Sequence, residues 1–268
     1  MCECRGVTRP HPTEIPYLLA FFPSLRAASD RTLSVYFPIR ADSYNGRFYD
    51  LEFRRLTEKH RHKFSDKDME VVERELPRIK AQLAVLRPTN CPFMAAFADE
   101  PKGLLRLIRL PEETEERFEV DPPLLAPLEL MLRKHPPSLI VAVDKEKAQT
   151  FAAILDEVIP QHHFEGTPVK HIRSGGNKNP NLQHKEENRV KANMAAVVRI
   201  IDREVSAVSY KRLYLAGTDE AVGELERLLP PSLKKIIAGR LSAELERSVG
   251  ELEVELRKQL RALAANPA

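Results

Sequence analysis

The stretch SLIVAVDKEK, residues 138–147, decides how the second half of this sequence folds. Its first part, Ser138–Val143, is a short apolar run, which is typical of a strand that is covered on both faces. The charged residues Asp144–Lys147 then predict a turn into a further segment, Ala148–Leu155. The stretch therefore predicts the start of a sheet that is buried on both faces.

Downstream of that sheet, the sequence predicts a polar loop and then a long helix. Apolar residues of this helix recur at helical spacing and form its core-facing stripe: Val190, Met194, Val197, Ile201, Val205 and Val208. A strand over Leu213–Ala216 follows, and Gly217-Thr218-Asp219 caps a helix that extends to about Leu229. A last strand, Ile236–Leu241, precedes a final helix that we expect from Ser242 to about Leu263.

The first half of the sequence also alternates between strand and helix patterns. In Thr32–Phe37 the side chains at every second position are apolar and share one face, which is the signature of a strand. A polar helix is expected over residues 49–62, and Ser65 opens a capping box for a second helix that ends before Pro88. Further strands are predicted over these segments: Phe93–Ala98, Leu104–Leu110 and Arg117–Val120.

Proline pairs mark the boundary between the two halves. Pro122-Pro123 and Pro136-Pro137 flank a short apolar helix over residues 124–132. We therefore predict an α/β protein in three parts. These are an N-terminal α/β domain over residues 1–135, a middle domain over residues 136–241, and a C-terminal helix and tail over residues 242–268.

Composition narrows the classes of function. The 268 residues are 43% hydrophobic and 30% charged, as in an ordinary globular protein, and no apolar run reaches the roughly 18 residues that a membrane span needs. The cysteines Cys2, Cys4 and Cys91 argue against a disulfide framework and favour a reducing compartment, so we expect a cytoplasmic protein. A net charge of only +3 means that any nucleic-acid footprint is local, and 6% aromatic residues leave little surface for base stacking.

Positive charge is concentrated between residues 170 and 191. This segment holds six basic residues against the acids Glu186 and Glu187, a balance of +4 that exceeds the net charge of the whole chain. The basic residues are Lys170, Arg173, Lys178, Lys185, Arg189 and Lys191. The pair Gly175-Gly176 lies among serine, asparagine and proline residues that favour turns.

This local composition suits the backbone of an RNA. Glycine lets the main chain approach a phosphate or ribose closely, while neighbouring Lys and Arg side chains neutralise phosphates and release counterions. The candidate RNA-binding residues are Lys170, Arg173, Ser174, Gly175, Gly176, Asn177, Lys178, His184, Lys185 and Arg189. Composition alone leaves a solvated surface loop open as the alternative.

The order of several short motifs resembles a known family, the bacterial and archaeal relatives of the archaeal and eukaryotic class-one peptide chain release factors. The motifs of the second half are Val143-Asp144, Ala148 with Phe151, Gly175-Gly176, Gln183-His184 and Leu215-Ala216-Gly217. The similarity continues into the first half with Leu33-Ser34-Val35-Tyr36, Phe97-Ala98, Gly103-Leu104 and Leu125-Ala126-Pro127-Leu128. The resemblance implies an RNase H-like middle domain that carries a long basic loop toward the peptidyl transferase centre of the ribosome.

In that superfamily a Gly-Gly-Gln tip places water on the peptidyl-tRNA ester, whereas this sequence has Gly175-Gly176-Asn177. Asparagine keeps the amide but is one methylene shorter, and catalysis tolerates a displacement of about 1 Å poorly. The resemblance therefore implies a factor without catalytic residues, similar to the Balon-type hibernation factors, which occupy the A site of idle bacterial ribosomes alongside elongation factor Tu. The alternative is a peptidyl-tRNA hydrolase that acts in ribosome rescue or termination.

The partners that the resemblance implies are the ribosome, through ribosomal RNA near the peptidyl transferase centre, and elongation factor Tu. The sequence has no Asn-Ile-Lys-Ser stop-codon motif, and only the last helix stands where release factors have a third domain. We therefore expect no stop-codon decoding. Whether the target ribosome is idle or stalled stays open, and so does an RNA-binding protein that acts away from the ribosome.

Other chemistries have weaker patterns, and we predict no catalytic residue, metal or cofactor. A zinc site would have to use Cys2, Cys4 and His11, which lack a second pair of ligands. A nuclease would have to use carboxylates that are not predicted to converge: Asp144, Glu146, Asp156 and Glu157. A hydrolytic base could come from His162, His163 or His171, but no serine or cysteine nucleophile accompanies them.

The end of the first predicted helix forms a second basic patch, which could contact RNA, although a solvated helix face is the commoner explanation. We expect His60 and His62 to extend this surface with Arg54, Arg55, Lys59, Arg61 and Lys63.

Overall fold

The computed structural model describes residues 31–39, 46–86, 91–169 and 180–265 of the chain. The chain divides into two compact units, Met1–Lys134 and His135–Ala268. Each unit contains one sheet together with helices, which confirms the predicted α/β fold class. In the part of the chain that the structure describes, no helix is long and apolar enough to cross a membrane.

The first unit is built on an antiparallel sheet of four strands in the order β3-β2-β1-β4. The strands are β1 (Thr32–Pro38), β2 (Phe93–Asp99), β3 (Leu104–Leu110) and β4 (Arg117–Asp121). The helices are α1 (Gly46–His60), α2 (Asp66–Val85) and α3 (Ala126–Lys134). All the strands predicted in this half are therefore present.

Alternation along the strands places apolar side chains on the face that α1 and α2 cover. Val35 of β1 pairs with Ala96 of β2, and both are fully buried in a core that also contains Phe53 of α1 and Ile79 of α2. The ring centroid of Phe53 lies 5.0 Å from that of Phe37 in an edge arrangement. The core of this unit is therefore rich in aromatic contacts.

His60 does not extend a basic surface as the sequence suggests. The side chain at this position is 7% exposed, and its ring stacks on Phe118 with centroids 6.2 Å apart. The last residue of α1 turns inward because a 3-10 turn, Arg61–Lys63, follows it and redirects the chain. Burial, together with the nearby cations, lowers the pKa of His60, so the neutral ring is favoured.

The second unit has a five-stranded sheet in the order β7-β6-β5-β8-β9. The strands are β5 (Ser138–Val143), β6 (Lys147–Ile154), β7 (Glu157–Glu165), β8 (Arg212–Gly217) and β9 (Ile237–Leu241). β8 is parallel to β5 and to β9, whereas β6 and β7 are antiparallel neighbours. The helices are α4 (Pro180–Val208), α5 (Asp219–Leu228), α6 (Pro231–Lys234) and α7 (Val249–Ala265).

Helices cover both faces of this second sheet. On one face, Phe151 of β6 lies in a core with Leu252 and Leu256 of α7. The neighbouring residue Thr150 points to the opposite face and hydrogen-bonds Glu204 of α4. The sheet is therefore the middle layer between α4 and α7, which agrees with the apolar character of β5.

Three elements of this unit differ from the sequence-based expectation. The short helix α6 has no counterpart among the predicted elements. β7 was not predicted, because its charged and histidine-containing sequence lacks a clear apolar alternation. The final helix begins at Val249 rather than at Ser242. Ser248 caps this helix by exchanging hydrogen bonds with Glu251. The segment at Ser242 instead lies beside the helix, since the N–H of Ser242 donates a hydrogen bond to Gln259.

Candidate functional site

The structure describes only some of the predicted RNA-binding residues. His184, Lys185 and Arg189 lie in the first turns of α4. The others lie outside the described residues: Lys170, Arg173, Ser174, Gly175, Gly176, Asn177 and Lys178. We call residues 170–179 the basic segment. The site can therefore be built from the elements on either side of it, which are β7 and α4.

Some of the basic side chains at the start of α4 have an acidic partner, and others have none among the residues that the structure describes. Arg189 donates a hydrogen bond to Oε1 of the buried Glu186 at 2.8 Å. His184 Nδ1 lies 3.5 Å from Oε2 of Glu187. Lys185 and Lys191 are exposed, and within the described part of the chain neither lysine forms an ion pair. These two lysines therefore present positive charge to solvent on the turns next to the basic segment.

The core-facing stripe of α4 contains polar side chains as well as apolar ones. Glu186, Asn193 and Glu204 are all buried. Their separations of seven and eleven residues correspond to about two and three helical turns, so they lie on one face of α4. Because an unpaired buried polar group is destabilising, the partners of these side chains indicate what this face of the helix binds.

Asn193 binds the segment that follows β7. Its Oδ1 accepts a hydrogen bond from the N–H of Thr167 at 2.9 Å, and its Nδ2 donates to the carbonyl oxygens of Thr167 at 2.9 Å and Lys145 at 3.0 Å. Gly166 is packed against this amide, because a Cβ atom at residue 166 would lie 2.4 Å from Oδ1 of Asn193. A larger residue at this position would therefore displace Asn193.

The turn between β5 and β6 binds the same segment. Asp144 fixes this turn by accepting hydrogen bonds at 2.6 Å from the N–H groups of Glu146 and Lys147. The carbonyl oxygen of Glu146 accepts from the N–H of Gly166 at 2.7 Å, and Oε1 of Glu146 accepts from the N–H of Val169 at 2.7 Å. We call residues 166–169 the loop stem, since they directly precede Lys170.

A second polar cluster joins α4 to β6 and β7. The pairing of these strands is irregular around Thr150, where a bulge removes the regular ladder partner. Oγ1 of Thr150 accepts from the N–H of His162 at 3.0 Å and donates to Oε1 of Glu204 at 2.8 Å. Nδ1 of His162 lies 2.6 Å from the same carboxylate oxygen. The hydroxyl therefore supplies an acceptor for a backbone N–H of β7 at the bulge, and the carboxyl of Glu204 holds this hydroxyl and the ring of His162.

Glu204 is satisfied on one oxygen only. Its Oε2 is buried and has no hydrogen-bond partner within the described ranges. Burial raises the pKa of Glu204, and the hydrogen bonds from Thr150 and His162 oppose this effect without cancelling it. The interface between α4 and the sheet therefore holds a carboxyl group that resists ionisation.

The carboxylates that could have supported a nuclease have other partners. Both Oδ atoms of Asp156 accept from Arg261, and Oε2 of Glu157 lies 3.8 Å from Arg257, which places both acids against α7. Asp144 is used in its own turn. No group of three or more potential metal ligands occurs in the described ranges. The arrangement gives these carboxylates structural partners.

Sequence analysis missed two polar residues of α4. Asn193 holds the loop stem and Glu204 contacts β6 and β7, but the helical periodicity indicated only the apolar members of the stripe. The sequence did contain a signal for both residues, because they continue the helical spacing of the apolar stripe. Asn193 lies four residues before Val197, and Glu204 lies three residues after Ile201. Glu146 was considered as a metal ligand, and its contact with Val169 had no local signal.

Comparison with known proteins shows the family of this chain. Residues 123–261, which contain the whole sheet of the second unit, match a family of release-factor type. The chain is therefore a member of the release-factor superfamily. More particularly, it belongs to bacterial archaeo-eukaryotic release factor family 10, because the match covers more than half of the 268 residues.

Solved structures of archaeal proteins are similar to the chain. An archaeal translation termination factor is 17% identical, with 95% of this chain and 77% of that chain covered and a TM-score of 0.36. Pelota from Archaeoglobus fulgidus is 9% identical, with 65% and 48% covered and a TM-score of 0.32. Pelota from Thermoplasma acidophilum is 11% identical, with 64% and 53% covered and a TM-score of 0.29. The chain spans about half the length of both Pelota chains.

No curated protein matches the sequence.

Proposed function

We propose that this protein is a ribosome-binding translation factor without hydrolytic activity, which occupies the A site of idle or stalled ribosomes in the cytoplasm. The observation that carries the proposal is the membership of residues 123–261 in a release-factor family. This part of the chain contains the basic segment, so the family match and the concentration of positive charge fall on the same region.

The surface that we propose for ribosomal RNA is the basic segment with the first turns of α4. Lys185 and Lys191 are exposed there, and Arg189 lies on the same turns. Around Gly175-Gly176, the cations Arg173 and Lys178 supply further charge. Contacts of this type neutralise phosphates and need no aromatic stacking surface, which matches a chain with no tryptophan.

Absence of ester hydrolysis is proposed from the tripeptide Gly175-Gly176-Asn177. The side-chain amide of asparagine reaches one methylene less far than that of glutamine. A shortfall of about 1 Å is sufficient to lower a rate on the order of 100-fold when a group must orient a reacting water. By the same resemblance, elongation factor Tu is the partner that we propose alongside this protein at the A site.

Binding to ribosomes is tested by co-sedimentation over a range of salt concentrations. We expect binding by the wild-type protein that weakens steeply as salt increases, because phosphate contacts release counterions. The variant Arg173→Glu/Lys178→Glu should lose binding at moderate salt. Its matched control is Lys235→Glu/Lys258→Glu, which changes the net charge equally at exposed positions of the same unit. Equal loss in both variants, or no binding at low salt, contradicts the proposal.

Hydrolysis is tested by release of peptide from peptidyl-tRNA in the P site. We expect no release above background from the wild-type protein. Release by the wild-type protein that disappears in Gly176→Ala would instead establish the peptidyl-tRNA hydrolase. Binding to free tRNA as tight as binding to ribosomes would indicate an RNA-binding protein that acts away from the ribosome.

A further inference from the structure

The loop stem is held more firmly than a surface connection needs to be. Within residues 166–169, the N–H groups of Gly166, Thr167 and Val169 all donate to fixed acceptors, at 2.7, 2.9 and 2.7 Å. The carbonyl oxygen of Thr167 also accepts a hydrogen bond, from Nδ2 of Asn193. An ordinary solvent-exposed loop would satisfy most of these groups with water.

The acceptors come from parts of the unit that are themselves rigid. Asn193 is 5% exposed and lies near the middle of α4, beside the buried Met194 in the sequence. Glu146 lies in a turn whose backbone is fixed by Asp144. We call Asn193 and Glu146 the clamp, because both bind the loop stem. One belongs to the helix that covers the sheet, and the other belongs to a turn between two strands of the sheet.

Steric fit makes this arrangement selective for one backbone path. A side chain at residue 166 would collide with Asn193, since even a Cβ atom would lie 2.5 Å from its Cγ. Nδ2 of Asn193 bridges Thr167 and Lys145, so it ties the stem to the turn between β5 and β6. The stem therefore follows the surface of the sheet edge in one direction up to Val169.

We propose that Asn193 and Glu146 are positioning residues for ribosome binding, which fix the direction in which the chain leaves the loop stem at Val169. The inference rests on the proposed function, and it assigns the affinity for ribosomes partly to two side chains that contact no RNA. A segment whose base is already ordered loses less conformational entropy on binding than one whose base is free. The clamp therefore strengthens binding by preorganisation.

Variants of Asn193 test the clamp in the free protein and the function on the ribosome. Asn193→Ala removes all three hydrogen bonds, and Ser206→Ala is the matched control, because Ser206 is exposed near the other end of the same helix and its replacement by alanine also raises helix propensity. We expect hydrogen exchange at the N–H of Thr167 to be at least tenfold faster in Asn193→Ala than in the control. The melting temperature should fall, because three hydrogen bonds of a buried side chain are lost, so binding is measured well below it. Under those conditions ribosome binding should weaken on the order of tenfold.

Variants of Glu146 give an independent measurement if Asn193→Ala disturbs the fold. Glu146→Ala removes the acceptor for Val169, whereas Glu146→Gln keeps an amide oxygen at the same place. We expect faster exchange at Val169 and weaker ribosome binding in Glu146→Ala, and recovery of both in Glu146→Gln. Recovery by the glutamine variant would show that the hydrogen bond acts rather than the charge.

The outcomes separate the positioning role from the proposed function. Unchanged exchange at Thr167 and Val169 in the alanine variants overturns the clamp. Faster exchange with undiminished ribosome binding overturns the positioning role while the proposed function stands. Absence of ribosome binding by the wild-type protein overturns the proposed function, and with it the contribution of the clamp to binding, whereas the exchange rates still establish whether Asn193 holds the stem.

Discussion

Two buried glutamates, one in each unit, have opposite titration behaviour. Glu75 of α2 has no exposed surface, and Glu204 of α4 is 7% exposed, so both are withdrawn from water. The pKa of Glu75 is nevertheless lowered, whereas that of Glu204 is raised. The same residue type on the covered face of a helix is therefore held as a carboxylate in the first unit and biased toward the neutral acid in the second.

The difference follows from the number of donors around each carboxyl group. Burial alone would raise the pKa of Glu75, but the N–H of Glu100 and the side chains of Arg74 and Arg78 outweigh it. Oε1 accepts from Arg74 and from Glu100 at 2.8 Å each, and Oε2 accepts from Arg78. Glu204 has donors on Oε1 only, and its Oε2 has no partner in the described part of the chain.

The comparison indicates what each glutamate contributes. Glu75 ties α2 to the end of β2 by charge-assisted hydrogen bonds, so it supports the fold of the first unit. Glu204 ties α4 to β7, the two elements that flank the basic segment, at a cost in unsatisfied polarity. The hydrogen bonds of Glu204 therefore stabilise the second unit less than those of Glu75 stabilise the first. They favour one placement of α4 on the sheet.

Removing Glu75 should have the largest effect. In Glu75→Ala, the N–H of Glu100 and two arginines lose their acceptor, and we expect a loss of about 3 kcal/mol in the free energy of unfolding of the first unit. The lower end of the range for buried pairs applies because Arg74 and Arg78 are 35% and 27% exposed. Urea unfolding followed by hydrogen exchange of β1 and β2 measures this loss.

The control for Glu75 is Glu73→Ala on the exposed face of the same helix, which should change stability by less than about 0.5 kcal/mol. Comparable losses in the two variants would contradict the role given to the hydrogen bonds of Glu75.

Removing the hydroxyl of Thr150 should have an intermediate effect. Thr150→Val leaves the backbone N–H of His162 without its acceptor and takes one donor from Glu204, so we expect a loss of about 2 kcal/mol in the second unit. Thermal unfolding followed by circular dichroism provides the measurement. In the control, Thr57→Val, the lost hydroxyl donates only to Phe53 of its own helix, and little change is expected. A loss in Thr57→Val as large as that in Thr150→Val would count against the bulge as the cause.

The sequence predicts the positions of apolar residues in the fold better than it predicts the contacts of polar residues such as Glu204. Apolar periodicity was sufficient to predict β1, β5 and the stripe of α4, because burial of apolar surface dominates folding and leaves a regular pattern in the sequence. The Ser65 capping box was predictable for a different reason, because its partner Asp68 is only three residues away in the sequence.

Polar contacts over long sequence distances were not predictable in this way. Asn193 binds Thr167, and Glu204 binds Thr150, over separations of 26 and 54 residues. Such pairs depend on how the strands and α4 are placed, and no periodicity records them. β7 was missed for a related reason, because its hydrogen bonds and the contacts of His162 stabilise a strand that its composition does not favour.

The ionisation of Glu204 should change the stability of the second unit with pH, and we expect this change to be smaller than the effects of the two substitutions above. Burial raises the pKa of Glu204 above the ordinary 4.5, so as the pH rises this group ionises first in the unfolded chain. The stability of the second unit therefore falls as the pH rises from about 4.5 through the pKa of the folded state. It does not fall on acidification through the same range. Glu204→Gln cannot ionise, and its melting temperature should rise relative to wild type as the pH increases from 5 to 8. Asp202→Asn, at an exposed position two residues away, should track wild type. A Glu204→Gln variant that gains stability relative to wild type on acidification would mean that the ion pair with His162 outweighs burial.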